Sequence, residues 1–389
     1  MAQGRSTGRG GRAPHMNVIA VTGTSGKTTT AWLTASVLCE AGLHVGVISD
    51  LGCVDADGAL APPLERGRPD AVAARLARLE RGGCAHAVVE VAHESVAAGV
   101  LGRDGCRTVV VTGRARGGPD ARSMQTPLAR FIAGALAPDG CLVVPPDPAL
   151  VPLIAAAARR RGRTALVAGL SEACDVAARP VERGLYGQTF LVAAAGQVMP
   201  VAVDVPVASY ARNAACAIAV GLRHGVPLDV AARGVEAAGS VAGRVERLDR
   251  GQDFAAFLDT PPNRHALAST LASLRRLTPG RLAVVADQRC VDGLGSAGFA
   301  RPVRRRCDDV VVVPSGVLDD GADEAALAAY ARVDLLLGRL GARDCLLVLG
   351  APAAGGTPDG GVPLATLVDG WIRLAHPPRG ARVGPGRAA

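Results

Sequence analysis

Lysine is almost absent from this chain of 389 residues. Of its 43 lysine and arginine residues, only Lys27 is a lysine. A chain that uses arginine everywhere else needs, at this one position, a compact ammonium on a flexible stem, because a planar guanidinium is wider and presents its donors in a fixed fork. The absence of any other lysine therefore directs attention to the segment around Lys27.

Aromatic residues and long apolar runs are also scarce. Only 3% of the residues are aromatic, so base-stacking platforms are lacking, and we do not expect a nucleic-acid partner despite the net charge of +8. No apolar stretch approaches the roughly 20 residues that span a bilayer, so no membrane partner is expected either. The charge suits a small anionic substrate instead.

The cysteines show no pattern of pairing. Ten are scattered along the chain without a Cys-x-x-Cys pair or a cluster at metal-ligand spacing. Residues 1–15 are rich in glycine and arginine and carry no apolar segment of the kind found in secretory signals. These features predict reduced thiols, a cytoplasmic protein and a disordered N-terminal tail.

The segment around Lys27 has the pattern of a phosphate-binding loop. An apolar strand at 18–21 leads into Val21-Thr22-Gly23-Thr24-Ser25-Gly26-Lys27-Thr28-Thr29-Thr30, and a helix is predicted from there to residue 40. Backbone amides would close on an anion at the helix N-terminus, Lys27 would reach the terminal phosphates, and the Thr28 hydroxyl would hold Mg²⁺. The usual pattern begins with glycine where this chain has Val21, and a glycine-rich turn with a chance lysine is the alternative.

The rest of the chain alternates strand and helix patterns, which predicts an α/β fold: a P-loop-type domain with a mostly parallel sheet, followed by a smaller Rossmann-like α/β domain. Strands are predicted at 44–49, 86–91, 107–112, 141–144 and 164–168, an antiparallel hairpin around 195–196, and further strands at 254–258, 281–286, 309–313 and 345–349. Predicted helices cover 71–81, 148–161, 210–222, 228–238, 264–277, 324–340 and 364–374. The predicted units are a tail at 1–15, a central domain at 16–241, a C-terminal domain at 242–352 and a tail rich in Gly, Pro and Arg at 353–389.

The loop and a second segment together resemble the Mur ligases. Thr22-Gly23-Thr24-Ser25-Gly26-Lys27-Thr28-Thr29 lacks the first glycine as the family's loop does, and Gly243-Arg244-Val245-Glu246-Arg247, with Asp259 after it, is similar to the entry to the C-terminal domain of the UDP-N-acetylmuramoyl-tripeptide synthetase type. The resemblance covers about 18–350. It has no counterpart of the family's N-terminal UDP-binding domain, because the strand before the loop begins near Asn17.

The resemblance implies an ATP-dependent enzyme that joins an acid to an amine through an acyl phosphate, with ATP and Mg²⁺ as cofactors. It implies a catalytic role for Lys27 and Arg244, and a metal site at Thr28 and Glu90. The implied nucleotide-binding residues are Gly23, Thr24, Ser25, Gly26, Lys27, Thr28, Thr29, Asn213, Arg244 and Asp259. From the residues alone, other roles stay open: a structural or capping role for Glu90, a helix cap for Asn213, a surface charge for Arg244 and a turn for Asp259.

Several residues of the family's chemistry have no counterpart here. The family carbamylates a second lysine, which this chain lacks; the nearest position is Arg130, which we predict as a catalytic charge substitute, with Arg114 and Arg116 as the other candidates. His93 and Glu94 follow Glu90 where the family has a serine pair and a histidine, and they are predicted as shifted metal ligands, with a structural histidine as the alternative for His93. The family's Asn-Pro-Arg run, which recognises the amino acid, falls at Gly316-Val317-Leu318.

Three functions are compatible with these observations. The first is a ligase acting on a small carboxylate and an amino acid or amine, with a substrate other than the standard muropeptide of peptidoglycan biosynthesis. The second is a non-catalytic relative that binds ATP and regulates a partner. The third is a P-loop kinase or nucleic-acid-stimulated ATPase, which the loop together with the segment at 243–247 disfavours. The oligomeric state is not predictable from the sequence.

Overall fold

The computed structural model describes residues 16–65, 67–92, 95, 99–103, 105–113, 125–150, 162–314, 324–351 and 363–375. Within this part, an 11-stranded sheet is followed by a 5-stranded sheet. The strands are β1 Asn17–Thr22, β2 Val45–Ser49, β3 Gly52–Val54, β4 Leu60–Ala61, β5 His86–Glu90, β6 Cys106–Val111, β7 Leu136–Val144, β8 Thr164–Gly169, β9 Val176–Gly184, β10 Gly187–Ala194, β11 Gln197–Val203, β12 Arg244–Arg247, β13 Ala255–Asp259, β14 Leu282–Asp287, β15 Asp309–Val313 and β16 Cys345–Leu349.

Helices connect most of these strands. They are α1 Lys27–Glu40, α2 Pro69–Arg81, α3 Gln125–Ala135, α4 Ala208–Arg223, α5 Leu228–Ala238, α6 Arg264–Leu277, α7 Gln288–Leu294, α8 Ser296–Arg304, α9 Glu324–Leu337 and α10 Leu364–Ala375. None of the helices in the described ranges is long and apolar enough to cross a membrane. The predicted helix at 148–161 begins as a short 3₁₀ turn at Pro148–Leu150, and its remainder lies outside the described residues.

The first sheet is parallel at its centre, with strand order β11-β10-β9-β8-β7-β6-β1-β5-β2-β3-β4. The strands from β9 to β2 in this order run parallel, while antiparallel strands extend the sheet at both ends. The central strands are Val-rich and buried because helices cover both faces. In β1, Ile19 and Val21 pack with α1, α4 and α5, and Val18 and Ala20 pack with α2 and α3.

The second sheet has the order β12-β13-β16-β14-β15, with β12 antiparallel at one edge and the other strands parallel. One face packs on α6 and α8, and the opposite face packs on α9 and α10. The predicted α/β class and the two sheets are confirmed. The C-terminal domain extends beyond the predicted limit at 352, because Val368 and Ile372 of α10 are completely buried against this sheet.

Two local differences from the sequence patterns have physical causes. β7 begins at Leu136 rather than 141. Pro138, Asp139 and Gly140 interrupt its apolar run, and Pro138 and Asp139 are exposed, so the sequence pattern predicted only its second half. β9 is largely exposed and polar over its second half, so its pattern did not predict a strand. The predicted hairpin is present as β10 and β11, paired from Gln188 opposite Val203 to Ala194 opposite Gln197.

Candidate active site

The loop between β1 and α1 lies at the carboxyl edge of the parallel sheet, where open α/β sheets bind their ligands. Gly23 (φ 135°) and Gly26 (φ 83°) give it backbone angles that other residues adopt at a cost. A Cβ atom at Gly26 would lie 2.6 Å from Oδ1 of Asn213, so the buried Asn213 packs directly against the loop. Lys27 begins α1 with its side chain on the cleft.

Thr112 fixes the loop from the next strand. Its hydroxyl lies 2.6 Å from the carbonyl oxygen of Ser25 and donates to it, and the N–H of Thr24 donates to the carbonyl of Gly113 at 3.1 Å. Because β6 is parallel to β1, the carboxyl ends of the two strands lie at the same edge of the sheet. Thr112 and Gly113, which follow β6, therefore lie beside the loop that follows β1. Thr112 was missed in the sequence because a lone threonine after a strand carries no spacing signal.

Thr28 and Glu90 form the centre of the site. The Thr28 hydroxyl donates to Oε1 of Glu90 at 3.1 Å, and the backbone N–H of Asp50 donates to Oε2 at 3.1 Å. Burial and the nearby Asp50 carboxylate raise the pKa of Glu90, while the Lys27 ammonium acts in the opposite direction. A buried carboxylate of this kind is stabilised by an added cation.

Arg244 reaches this centre from the second sheet. Its guanidinium donates to the Thr28 hydroxyl at 3.2 Å and to the carbonyl of Thr260. The next residue, Val245, has φ 53°, and the register of β12 against β13 shifts between Arg244 and Glu246. Such a bulge redirects a side chain, and a valine with positive φ stores strain that the surrounding structure must offset.

Asp259 supports Arg244 from the adjacent strand. The two residues are paired in register, and the Thr270 hydroxyl of α6 donates to Oδ2 of Asp259 at 3.0 Å. Burial raises the pKa of Asp259 to about 6, and the charge of Arg244 opposes this rise. The carboxylate therefore faces Arg244 and α6, and it also lines the cleft.

Asn263 provides a second contact between the two domains. Its side-chain oxygen caps α6 by accepting the N–H groups of His265 and Ala266 at 3.1 and 3.0 Å. Its Nδ2 donates to the carbonyl of Thr24 at 2.9 Å. The capping role of Asn263 is predictable from the sequence, because Asn is a preferred residue just before a helix. Its contact with the loop is not predictable from the sequence.

These groups surround a cleft of about 400 Å³ between the two domains. The structure brings together nearly all the residues predicted to bind nucleotide and all the described residues predicted to bind metal. The predicted residues that line the cleft are Thr24, Ser25, Gly26, Lys27, Thr28, Thr29, Glu90, Asn213, Arg244 and Asp259. Lining residues without a predicted role are Asp50, Ser209, Tyr210, Arg212, Val245, Pro261, Pro262, Asn263, His265, Ala266, Ser269 and Thr270. Asp50 could have been predicted from the sequence, because it directly follows β2 and open α/β sheets bind ligands at the carboxyl ends of their strands.

Arg130 does not join the site. It lies exposed on α3 and is not among the described residues that line the cleft, so its predicted catalytic role is not supported. The helix places it outward because Leu128, Phe131 and Ile132 take the buried face. The other predicted charge substitutes, Arg114 and Arg116, and the predicted ligands His93 and Glu94 lie outside the described residues.

The oxygen atoms at the centre suit Mg²⁺. A hydroxyl and a carboxylate joined by a hydrogen bond are hard donors, and burial and Asp50 raise the pKa of Glu90 although the Lys27 ammonium acts in the opposite direction. Within the described ranges, no group of three or more His, Cys, Asp or Glu side chains could hold a metal ion. This partial donor set matches Mg²⁺, which keeps several waters and takes substrate phosphates as ligands.

We expect Glu90→Ala to retain nucleotide binding while losing its dependence on Mg²⁺, because the loop amides and Lys27 do not need the carboxylate. Titration calorimetry of ATP with and without Mg²⁺ measures this difference. The wild type should gain at least about tenfold in affinity from the metal, or 1.4 kcal/mol. Glu40→Ala at the other end of α1 is the control. If metal dependence persists in Glu90→Ala, then Asp50, His93 or Glu94 is the ligand.

Comparison with known proteins shows which proteins this chain is similar to. Residues 21–111 match the model of the Mur ligase middle domain. A UDP-N-acetylmuramoyl-L-alanyl-D-glutamate--2,6-diaminopimelate ligase of Corynebacterium efficiens is 32% identical over 69% of this chain and 52% of its own length. The same ligase of Chlorobaculum tepidum is 29% identical over 88% of this chain and 72% of its own length.

This chain therefore spans about half the length of the first curated relatives that it matches. Among solved structures, a ligase of the same name covers 92% of this chain and 78% of its own, with a TM-score of 0.64 and 18% identity. The folylpolyglutamate synthetase of Lactobacillus casei in its apo form has a TM-score of 0.62 at 17% identity, covering 86% and 88%. Residues 21–111 thus match the Mur ligase middle domain, and the chain is similar in sequence to curated Mur ligases and alike in fold to a solved one.

Proposed function

We propose that this protein is a cytoplasmic, ATP- and Mg²⁺-dependent ligase that joins a small carboxylic acid to an amino acid or another amine. One observation carries the proposal. Arg244 of the second domain contacts Thr28 of the phosphate loop, whose hydroxyl is bonded to Glu90. Phosphate-binding groups and a cation from each domain therefore converge on one point, as transfer of a phosphoryl group requires.

The residues of the cleft fit a two-step reaction. In the first step, an oxygen of the acid attacks the γ-phosphorus of ATP, and the bond from that phosphorus to the oxygen bridging the β- and γ-phosphates breaks. ADP leaves, and the product is an acyl phosphate. The amine then attacks the acyl carbon, inorganic phosphate leaves and the nitrogen loses a proton. Lys27 and Arg244 would neutralise the transferred charge, and the closely apposed domains would exclude water, which would otherwise hydrolyse the acyl phosphate. When bound, Mg²⁺ would neutralise charge on the phosphates.

The standard muropeptide is not the substrate that we propose. The named relatives are ligases of a muropeptide and diaminopimelate, and that likeness supports a role near peptidoglycan synthesis. However, the run that recognises the amino acid in the family is Gly316-Val317-Leu318 here. These residues cannot form an ion pair with a carboxylate, so the amine partner should differ.

The test is phosphate release from ATP in the presence of acids and amines, supplied singly and in pairs. A ligase releases phosphate fast only when a matching acid and amine are both present, and mass spectrometry then shows the amide product. Release that does not depend on either partner indicates a simple ATPase and contradicts the proposal.

A non-catalytic relative that binds ATP is the second candidate. Two observations favour it: the chain has no lysine other than Lys27 to carbamylate, and Arg130 lies outside the cleft. Such a protein binds MgATP but gives no turnover with any pair of substrates. Binding without turnover across the panel would make it the better conclusion.

We also expect any turnover to be independent of bicarbonate. Carbamylation requires a neutral lysine amine, and the single lysine lies in the phosphate loop, where its charge is needed. The rate in degassed buffer should equal the rate after bicarbonate is added. A Mur ligase that contains the carbamylated lysine serves as the positive control. Activity that falls on degassing and returns with bicarbonate would contradict this expectation.

A further inference from the structure

Arg212 is a cation of the cleft to which no role has been assigned. It lies in the first half of α4 and its side chain lines the cleft between the domains. Its Nε atom is buried and has no hydrogen-bond partner. No carboxylate of the described ranges forms a salt bridge with it either. The guanidinium therefore stands at the wall of the cleft with unused hydrogen-bonding capacity.

Three other shielded arginines of this protein have partners, whereas the Nε atom of Arg183 is buried without one on β9, away from the cleft. Arg75 pairs with Asp55 at 2.8 Å, Arg163 donates to carbonyls where α3 meets β7, and Arg244 donates to Thr28 and Thr260. Leaving a buried donor unpaired costs about 1–3 kcal/mol, and more for a charged group. The Arg212 side chain lines the cleft and has no hydrogen bond or ion pair with another described residue, so its guanidinium can donate to an anion that enters the cleft.

The position of Arg212 indicates which anion it binds. Its neighbour Asn213 packs against Gly26, so Arg212 lies on the wall beside the N-terminus of α1. Two carboxylates of the cleft are turned to other groups: Glu90 to Thr28 and the Asp50 amide, and Asp259 to Thr270. A helix N-terminus and an unpaired guanidinium on adjoining walls form a site for phosphate.

We infer that Arg212 binds the phosphate chain of the nucleotide from the α4 wall, as a third cation beside Lys27 and Arg244. This inference rests on the proposed function, because it requires a nucleotide in the cleft. A guanidinium grips phosphate through paired N–H groups, which an ammonium or an amide cannot reproduce. Arg212 would thus favour nucleoside di- and triphosphates over the nucleoside itself.

The experiment compares Arg212→Gln and Arg212→Lys with the wild type. Affinities for MgATP and MgADP are measured by calorimetry, and that for adenosine by displacement of a fluorescent ADP. We expect Arg212→Gln to weaken MgATP and MgADP by about 10- to 100-fold and leave adenosine unchanged, with Arg212→Lys in between. Arg223→Gln, at the far end of α4, is the matched control because Arg223 donates to the Asp139 carbonyl there and does not line the cleft.

The outcomes separate this inference from the proposed function. An equal loss for adenosine and the phosphorylated nucleotides would show that Arg212 holds the base or ribose, which overturns the inference. Unchanged affinities in Arg212→Gln overturn it as well, while the ligase proposal stands. If the wild type binds no nucleotide, the proposed function itself fails. Thermal unfolding of each variant confirms that a loss of affinity does not reflect a loss of fold.

Discussion

Replacing Lys27 by arginine should remove most of the affinity for MgATP, although the charge is conserved. Lys27 is the first residue of α1, and its side chain lines the cleft close to Glu90 and Arg244. A wider guanidinium would have to fit the same tight loop, and it would lie beside the guanidinium of Arg244. Losing one charge-assisted hydrogen bond costs about 1.5–3 kcal/mol, or roughly 10- to 100-fold in affinity.

Calorimetric titration of MgATP into the wild type, Lys27→Arg and Lys27→Met decides this prediction. If geometry matters as much as charge, both variants lose affinity to a similar degree. Near-wild-type affinity in Lys27→Arg, with a loss in Lys27→Met, would show that charge alone is needed. Near-wild-type affinity in both would mean that the loop is not a phosphate site.

Gly26→Ala should abolish nucleotide binding with a modest loss of stability. The residue has φ 83°, which costs an alanine roughly 1–2 kcal/mol. Its Cβ would also lie 2.6 Å from the Asn213 side chain, so either the loop or α4 must shift. A shift that breaks two amide contacts to a charged phosphate, each worth about 1.5–3 kcal/mol, lowers affinity by more than about 100-fold.

Gly42→Ala is the matched control. Gly42 follows the other end of α1 with φ 77°, and a Cβ there would have no atom within 4 Å. The two variants share the backbone penalty but differ in the clash. Urea unfolding should show a comparable backbone cost in both, whereas titration should show unchanged nucleotide affinity in Gly42→Ala. Weak binding in both variants would assign the effect to backbone strain rather than to Asn213.

The parts of the site that are local in sequence were predictable. The strand, loop and helix around Lys27 follow from an apolar run, two glycines and a helix pattern within 24 residues, and β15, β16, α5 and α6 have the predicted limits. Runs of β-branched residues and helical periodicity are properties of short segments, so they can be recognised without the tertiary structure. Exposed strands such as β9 carry no such signal.

Arg130 shows where a local argument fails. Its place in the sequence matched that of a family residue, but whether a helix residue faces a cleft depends on which side of the helix meets the core. Leu128, Phe131 and Ile132 settle that orientation in α3. The opposite case is Arg212, whose position in the sequence predicts nothing and whose side chain lies in the cleft.

By itself, the sequence determined the α/β class, the two sheets and the phosphate loop with its single lysine, because each depends on neighbouring residues and on backbone geometry. Only the tertiary structure decided how Arg244 and Asn263 of the second domain meet Thr28 and Thr24 of the first. Those contacts join residues more than 200 positions apart. They arise from the bulge at Val245 and the start of α6, since the packing of two separately folded sheets sets which side chains share the cleft.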